Sequence, residues 1–396
     1  MATPRLYFDD PALVAFDARV IAHGTWQGRP SIVLDRTAFY PEAGGQNADH
    51  GVLHGLRLLD VQVDDDGVVH HVADGALPAV GTEVHSDVDV PRRRLHRALH
   101  TGQHMLSRAL IDEARAETVS SRLGETSCTI DVDRDSLDEA AVARAEDLVN
   151  AIIDADVAVR AFFPTADELR ALPLRRAPKV TENIRVVDVA GFDVSPCGGT
   201  HCTQTSQVGL VKVTGLERYK GKMRVSFAAG KRARVELFTH SESLRALARE
   251  LTCGVSEVKT GLDRLRRELA DAREALGLSR AQLAEHAAAS LWLAAQAAGS
   301  TRVVATFDEG GTEFLRAVGA RVTSHPGAIA MLSARSADGL AVLVARGEGS
   351  TFDCGAFLKR AAAASGGRGG GRVDRAEGKV PTGADWAALV AQHAEV

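Results

Sequence analysis

The spacing of apolar residues changes period along this chain, and the changes predict its elements. Up to about residue 90 apolar positions alternate or cluster in short runs, as in residues 29–35 (RPSIVLD) and 56–63 (LRLLDVQV), broken by turn signals such as Asp65-Asp66-Gly67. Side chains of a strand point to alternate faces, so this pattern predicts strands closed into a small barrel or a strongly curved sheet. From Asp89 the period becomes helical and stays so to about Glu117. A strand pair follows over residues 119–133, then an amphipathic helix over 137–157, with Ala141, Val142, Ala145, Leu148, Val149 and Ile152 at helical spacing. Three further strands are predicted over 184–189, 208–213 and 223–227.

Beyond His240 the apolar residues Val255, Val258, Leu262, Leu265, Leu269, Ala272 and Leu276 fall three and four apart. That series predicts a short antiparallel helical hairpin or a coiled coil, with Gly277-Leu278-Ser279 as the break between its arms. A spacer is its plainer use and self-association the other. The last block predicts a strand at 302–307, a helix, strands at 328–334 and 340–346, and a short helix. The run 365–372 (SGGRGGGR) is too glycine-dense for a helix and reads as a flexible linker or as backbone suited to close approach of phosphates. The fold class is therefore α+β: a barrel-like domain over 1–90, an α+β domain over 91–240, a helical linker over 241–297 and a C-terminal α/β domain over 298–396.

Candidate chemistry concentrates in two places. On a helix, His100 and His104 are spaced i, i+4 and project from one face, as two ligands of one metal ion must. Far downstream, residues 195–201 (SPCGGTH) put the thiol of Cys197 four residues before the imidazole of His201, with a glycine pair between. Thiolate and imidazole together suit zinc. Cys202 is a rival ligand by position. His96 lies about 12 Å along the helix from His104, too far to share its ion, and reads as a surface residue or a support behind the ligands. A third cluster, residues 37–46 (TAFYPEAGGQ), is a loop forced by Pro41 and Gly44-Gly45 that crowds Thr37, Glu42 and Gln46 together.

Composition narrows the class. The chain has 396 residues, 45% hydrophobic and 25% charged, enough for two or three domains with sizeable cores. Its net charge of −5 gives no overall signature of nucleic-acid binding, so any RNA contact must come from local patches. Five scattered cysteines form no disulfide framework and suit a reducing compartment. No apolar run approaches a membrane span, and residues 1–13 lack the basic and apolar regions of a signal peptide, which predicts a cytoplasmic location without membrane contact.

The three motifs, TAFYPEAGGQ, HTGQH and CGGTH, in this order and spacing, resemble the editing domain of alanyl-tRNA synthetases and of the freestanding AlaX-type editing proteins. The resemblance implies one zinc ion per chain held by His100, His104, Cys197 and His201. It also implies that the loop carrying Glu42, Gly44 and Gly45 lines an amino-acid pocket, in which Thr37 probes the substrate hydroxyl and Gln46 helps to hold the substrate. A site that needs a hydroxyl partner rejects an analogue lacking it, which is the discrimination between seryl and alanyl esters. Where the family commonly has three glycines this chain has Ala43, tolerable if its φ is negative. The run GGRGGGRVDRAEG resembles the DHH-associated C-terminal domain of the same synthetases, which holds tRNA and mediates dimerisation, so the resemblance spans nearly the whole chain and implies the long AlaX form.

The implied function is hydrolysis of the 3′ ester of mischarged alanine tRNA, with seryl as the first candidate and glycyl as the second, with that tRNA as partner and a homodimer through the C-terminal domain. Arg218, Lys220, Lys222 and Arg224 around Tyr219 form a candidate phosphate-contacting edge, joined by Arg368 and Arg372 and by Arg92, Arg93, Arg94 and Arg97. A solvated hairpin is the plainer reading of the first group. The rival functions are a zinc-stabilised tRNA-binding module without catalysis and an editing hydrolase for another aminoacyl-tRNA. A phosphoesterase is disfavoured by the lack of an Asp-His-His triplet. A complete synthetase is not expected, because only about ninety residues precede the histidine helix.

Overall fold

A computed structural model describes residues 2–178, 180–336 and 338–394. The chain divides into two compact units, Met1–Ala246 and Leu247–Val396. The first begins with strands β1 (Ala15–Trp26), β2 (Arg29–Leu34), β3 (Gly51–Leu53), β4 (Leu56–Val63), β5 (Val69–Ala73) and β6 (Glu83–Val88), which close a barrel in the order β1-β2-β5-β4-β3-β6. In β1 the alternation is direct: Phe16, Ala18 and Val20 face the barrel core between exposed Asp17, Arg19 and Ile21. The predicted small barrel is thus the fold of the N-terminal segment.

Inside that barrel sits His71, fully buried, with Nδ1 3.0 Å from the Ile32 carbonyl and Nε2 2.8 Å from Thr37 Oγ1. Nδ1 donates to the carbonyl and Nε2 accepts from the hydroxyl, an arrangement available only to the neutral ring. Burial pushes its pKa down to about 4. Because the unfolded ring takes its proton near pH 6.5 and the folded ring only near 4, the barrel keeps its full stability above pH 6.5 and loses it as pH falls toward 4, by about 3 kcal/mol. Amide exchange across Ala15–Val88 at pH 7 and pH 4.5 is expected to reveal this loss in the wild type and to show it largely removed in His71→Gln.

Helix α1 (Val90–Ala114) follows, started by Asp89, whose side chain accepts the Arg92 N–H, and stopped by Arg115 in the left-handed region at φ 51. It runs through the middle of the unit. Leu99, Met105, Leu106, Ala109 and Leu110 pack in one core with α2 (Glu139–Asp154) and the sheet of β7 (Thr118–Leu123) and β8 (Cys128–Val132). Its polar face is also buried, including His96, His100, Thr101 and His104. A short strand β9 (Val159–Phe162) and helix α3 (Ala166–Ala171) lead to β10 (Val186–Val189) and β11 (Asp193–Pro196), paired in the order β11-β10-β9. Strands β12 (Val211–Tyr219) and β13 (Lys222–Ala229) complete the other sheet, β12-β13-β8-β7.

Helix α4 (Gly230–Glu250) crosses the division between the units. The chain then stops being helical at Thr252, left-handed at φ 51, and restarts at Gly254, whose N–H is capped by Glu257. Helix α5 (Val258–Ala297) is continuous over 40 residues. The break expected at Gly277 is therefore absent. A mid-helix glycine costs only about 1 kcal/mol relative to alanine, and the flanking Ala, Leu, Arg and Glu residues are strong helix formers. Leu262, Leu265, Leu269 and Leu276 of the heptad series are left 43 to 52% exposed.

The second unit continues with β14 (Arg302–Phe307), α6 (Gly311–Val322), β15 (Ile329–Ser336), β16 (Gly339–Arg346), α7 (Cys354–Ala364), β17 (Arg368–Gly371), β18 (Arg375–Val380) and α8 (Trp386–His393). Its five strands are ordered β14-β15-β16-β18-β17, with only the β14–β15 pair parallel. Successive residues of β15 and β16 serve two cores. Leu332 and Leu343 pack under α5 and α6, while Met331, Val342 and Val344 pack under α7 and α8. The glycine run is an ordered edge hairpin here and not a linker. A Cβ on Gly371 would fall 2.3 Å from the Arg375 carbonyl, so glycine is what lets β17 close on β18.

Candidate metal centre

Four donors converge in the first unit. His100 and His104 come from successive turns of α1, while Cys197 and His201 come from the loop leaving β11. One ligand atom from each lies within 4.8 Å of all the others, the only such group of histidine, cysteine and carboxylate side chains found among the described residues. Cys197 Sγ is 3.4 Å from His100 Nε2 and 3.3 Å from His201 Nε2. A tetrahedral zinc with ordinary Zn–S and Zn–N bonds would separate sulfur from nitrogen by about 3.5 Å, so the spacing fits such an ion.

Each imidazole is turned so that Nε2 is free for the centre. His100 Nδ1 is 2.7 Å from Gln46 Oε1, His104 Nδ1 is 3.1 Å from Asp193 Oδ2, and His201 Nδ1 is 3.2 Å from Thr101 Oγ1. With Nδ1 donating in every case, three Nε2 lone pairs and one sulfur point inward. Asp193 is itself held by Arg175 at 2.5 Å and by Ser195 at 3.0 Å. Although burial opposes it, His104 and Arg175 hold the Asp193 carboxyl down to about 2. Burial likewise favours the neutral Cys197 thiol, but the three imidazoles, His100 foremost, hold its pKa well below the usual thiol range. A buried site with one cysteine sulfur, three imidazoles and a carboxylate behind one ring has the donor chemistry of a zinc site.

The loop is built to fit. Cys197 N–H donates to the Arg185 carbonyl at 2.9 Å, and Arg185 Nη1 donates to the carbonyls of Cys197 and Gly199 at 3.1 and 2.9 Å. Gly199 passes so near His100 that a Cβ would lie 2.1 Å from its Cε1, whereas a Cβ on Gly198 would meet nothing within 4 Å. Cys202, the rival ligand, is excluded: its thiol belongs to the core formed around α1, and burial raises its pKa. His96 is buried and not on the surface, and its Nδ1 has no partner among the described residues.

Beside the centre opens a cavity of about 1120 Å³, which His100, Cys197, Gly198 and Gly199 meet from one side and Tyr40, Gly44 and Gly45 from another. Gly44 and Gly45 take φ of +59 and +87, while Ala43 stays outside the left-handed region, the condition under which alanine is tolerated. Thr37 and Gln46 do not line this cavity. Both are fully buried: the Thr37 hydroxyl bonds His71 and accepts the Phe39 N–H, and Gln46 spends its amide on His100 and Thr200. Glu42 is exposed and also outside the lining.

The basic residues separate into two kinds. Arg93 is buried against Asp49, Arg97 donates to the His201 carbonyl at 2.6 Å, and Arg92 pairs with Glu125. Of that helical group only Arg94 is exposed; Arg93 and Arg97 are buried internal struts, and Arg92 is half-buried in its ion pair. Arg218, Lys220 and Lys222 are exposed at the β12–β13 hairpin, whereas Arg224 is stacked 3.4 Å over the Tyr219 ring and paired with Asp131. In the second unit Arg368 and Arg372 are exposed, the latter beside Asp374. Sequence reasoning missed Asp193, Thr101 and Thr200, whose polar side chains complete the centre. The available signal was a carboxylate four residues before a cysteine ligand.

Residues 184–226 match the family described as "Threonyl and Alanyl tRNA synthetase second additional domain", and residues 15–92 match "tRNA synthetases class II (A)". Across 96% of this chain, the alanine–tRNA ligase of Archaeoglobus fulgidus is 31% identical and that of Halobacterium salinarum is 32% identical, each over 42% of the ligase. The alanyl-tRNA editing protein AlaX-L of Pyrococcus horikoshii is 34% identical over 58% of this chain and 58% of its own length. The chain thus spans less than half of the ligases that it matches. The C-Ala domain of Aquifex aeolicus alanyl-tRNA synthetase aligns with 23% of this chain and 85% of its own at 18% identity and a TM-score of 0.21, too low to bear on the fold.

Proposed function

This chain is homologous to the alanyl-tRNA synthetases and to the AlaX-type alanyl-tRNA editing proteins, and from that kinship we propose that it is an editing hydrolase which cleaves the 3′ ester of mischarged alanine tRNA. The observation that carries the reading is the four-donor centre opening on a cavity large enough for an aminoacylated nucleoside. His100, His104, Cys197 and His201 would hold one zinc ion, which when bound supplies a fixed positive charge and Lewis acidity to the cavity wall. Gln46 acts by fixing the His100 ring, and Asp193 and Thr101 do the same for His104 and His201. The loop 37–46 forms the opposite wall through Tyr40, Gly44 and Gly45. Water adds to the ester carbonyl, the C–O bond to the ribose breaks, and the oxygen leaves with a proton as the tRNA 3′-terminal hydroxyl. No helix among the described residues is long and apolar enough to cross a membrane. In this reading the basic hairpin of Arg218, Lys220 and Lys222, and Arg368 and Arg372 of the second unit, contact tRNA phosphates, and the second unit serves tRNA holding or dimerisation.

The test is deacylation of seryl-tRNA and alanyl-tRNA made on one alanine tRNA. Loss of the seryl ester at least about a hundredfold faster than the alanyl ester is expected of a pocket that reads the hydroxyl. Hydrolysis of neither ester by protein that binds zinc and tRNA would leave a binding module only. In the same assay Thr37→Val asks whether Thr37 is the reader: its hydroxyl must leave His71 to meet a substrate, and unchanged selectivity would move that role to groups lining the cavity.

A further inference from the structure

The cavity wall beside the metal-binding loop includes two residues whose polar groups have nothing to bond. Among the described residues, Tyr7 Oη and the Nε and Nη2 groups of Arg185 are buried without a hydrogen-bond partner. Both residues line the cavity. Arg185 is 4% exposed, and no carboxylate among the described residues pairs with it, although Nη1 is spent on the carbonyls of the metal-binding loop. A buried guanidinium with no carboxylate to pair with and a buried hydroxyl with no hydrogen-bond partner are both costly, and folded proteins rarely leave such groups without a partner. The same wall is aromatic. The Arg185 guanidinium lies 5.0 Å from the Phe8 ring centroid, Phe8 meets Phe163 edge to face at 5.6 Å, and Phe163 is 49% exposed at the cavity.

We propose that Tyr7 and Arg185 are the subsite for the phosphodiester that precedes the terminal nucleoside of the aminoacylated RNA, with Phe8 and Phe163 as the apolar surface beside its base. This rests on the editing reading above. The two free Arg185 groups are donors only and carry positive charge, so they repel the ammonium of the aminoacyl group and call for an acceptor. A positive charge that no carboxylate pairs calls for an anion, and the phosphodiester is the one anion adjoining a 3′ aminoacyl ester. A planar guanidinium with two free N–H groups suits two phosphate oxygens, and the Tyr7 hydroxyl supplies a further donor. Because Arg185 also clamps the carbonyls of Cys197 and Gly199, phosphate binding would be felt directly by the loop that carries two metal ligands.

The experiment uses the full chain and two non-hydrolysable probes, 3′-serylamido-3′-deoxyadenosine and the same compound carrying a 5′-phosphate methyl ester. Calorimetry on the wild type is expected to show at least tenfold tighter binding of the phosphodiester probe. Tyr7→Phe is expected to cut that preference threefold or more while leaving the unfolding midpoint unchanged or higher, since it deletes a buried group that the free protein does not satisfy. Arg185→Gln is expected to abolish the preference, with zinc content measured alongside. Equal affinity of the wild type for the two probes, or full preference retained in Tyr7→Phe, would overturn the subsite. If the wild type still hydrolyses seryl-tRNA in that case, the editing reading stands and only the subsite falls. Absence of both hydrolysis and probe binding would remove both.

Discussion

Replacing Cys197 with alanine is expected to lower zinc affinity by more than about a hundredfold and to bring seryl ester hydrolysis to a hundredth of the wild-type rate or less. Loss of a residue that only orients a ligand typically costs 10–100-fold in metal affinity, and Cys197 is itself a donor. It is the one sulfur of the centre, 3.3 and 3.4 Å from two imidazole nitrogens. Its removal takes away the negative charge that offsets burying a cation among neutral rings, and alanine leaves a gap at the wall that faces the cavity. Cys202→Ala is the matched control. That thiol packs in the core around α1, and the variant is expected to keep its zinc and its rate, with at most a modest loss of stability for the deleted sulfur. Zinc content after dialysis against a graded chelator, read with the deacylation rate, decides between them. A Cys197→Ala protein with a full zinc complement and normal turnover would show that the four-donor centre is not the working site.

What could be read in the sequence divides by range. The two histidines of α1 are legible because a helix fixes the i, i+4 relation, and the barrel is legible because alternation is local. That Cys197 and His201 join them across nearly a hundred residues follows from no spacing and came from motif order. Of the partners behind the rings, Gln46 in the loop after β2 stood out through its motif, though for a different role, while Thr101 on α1 itself and Asp193 at the start of β11 were hidden because no spacing ties them to the rings that they hold. Arginine clusters misled for a related reason. A run such as Arg92-Arg93-Arg94 looks solvated, yet a helix that passes through the middle of a unit must bury most of its faces, and Arg93 and Arg97 find acceptors there. The glycine run after residue 365 misled in the opposite sense, since glycine-rich sequence serves close strand pairing as readily as flexibility.

The buried pair between Arg93 and Asp49 carries the other large expectation: Asp49→Ala should destabilise the first unit by about 3–5 kcal/mol while zinc at saturating concentration stays bound. Both side chains are almost wholly buried, and Arg93 Nη2 is 2.5 Å from Asp49 Oδ2. Arg93 also donates to the Ala38 carbonyl, and Asp49 Oδ2 accepts the Tyr40 N–H at 2.7 Å. The pair therefore ties the loop 37–50 to α1, the helix with two of the metal ligands. Alanine at 49 leaves a guanidinium buried without its counter-charge and frees the backbone at Tyr40, which forms part of the cavity wall. The zinc donors lie elsewhere, so substrate affinity should fall before metal content does. Asp49→Leu combined with Arg93→Met should recover most of the stability, because an apolar pair removes the stranded charge, but should not restore substrate binding. If the double variant is as unstable as Asp49→Ala, the cost lies in the loop backbone and not in the uncompensated arginine. If Asp49→Ala is as stable as the wild type, the pair does not hold the loop at all. A drop in stability with zinc retained and the KM for the seryl ester raised would identify this ion pair as the joint that sets the pocket wall against the metal centre.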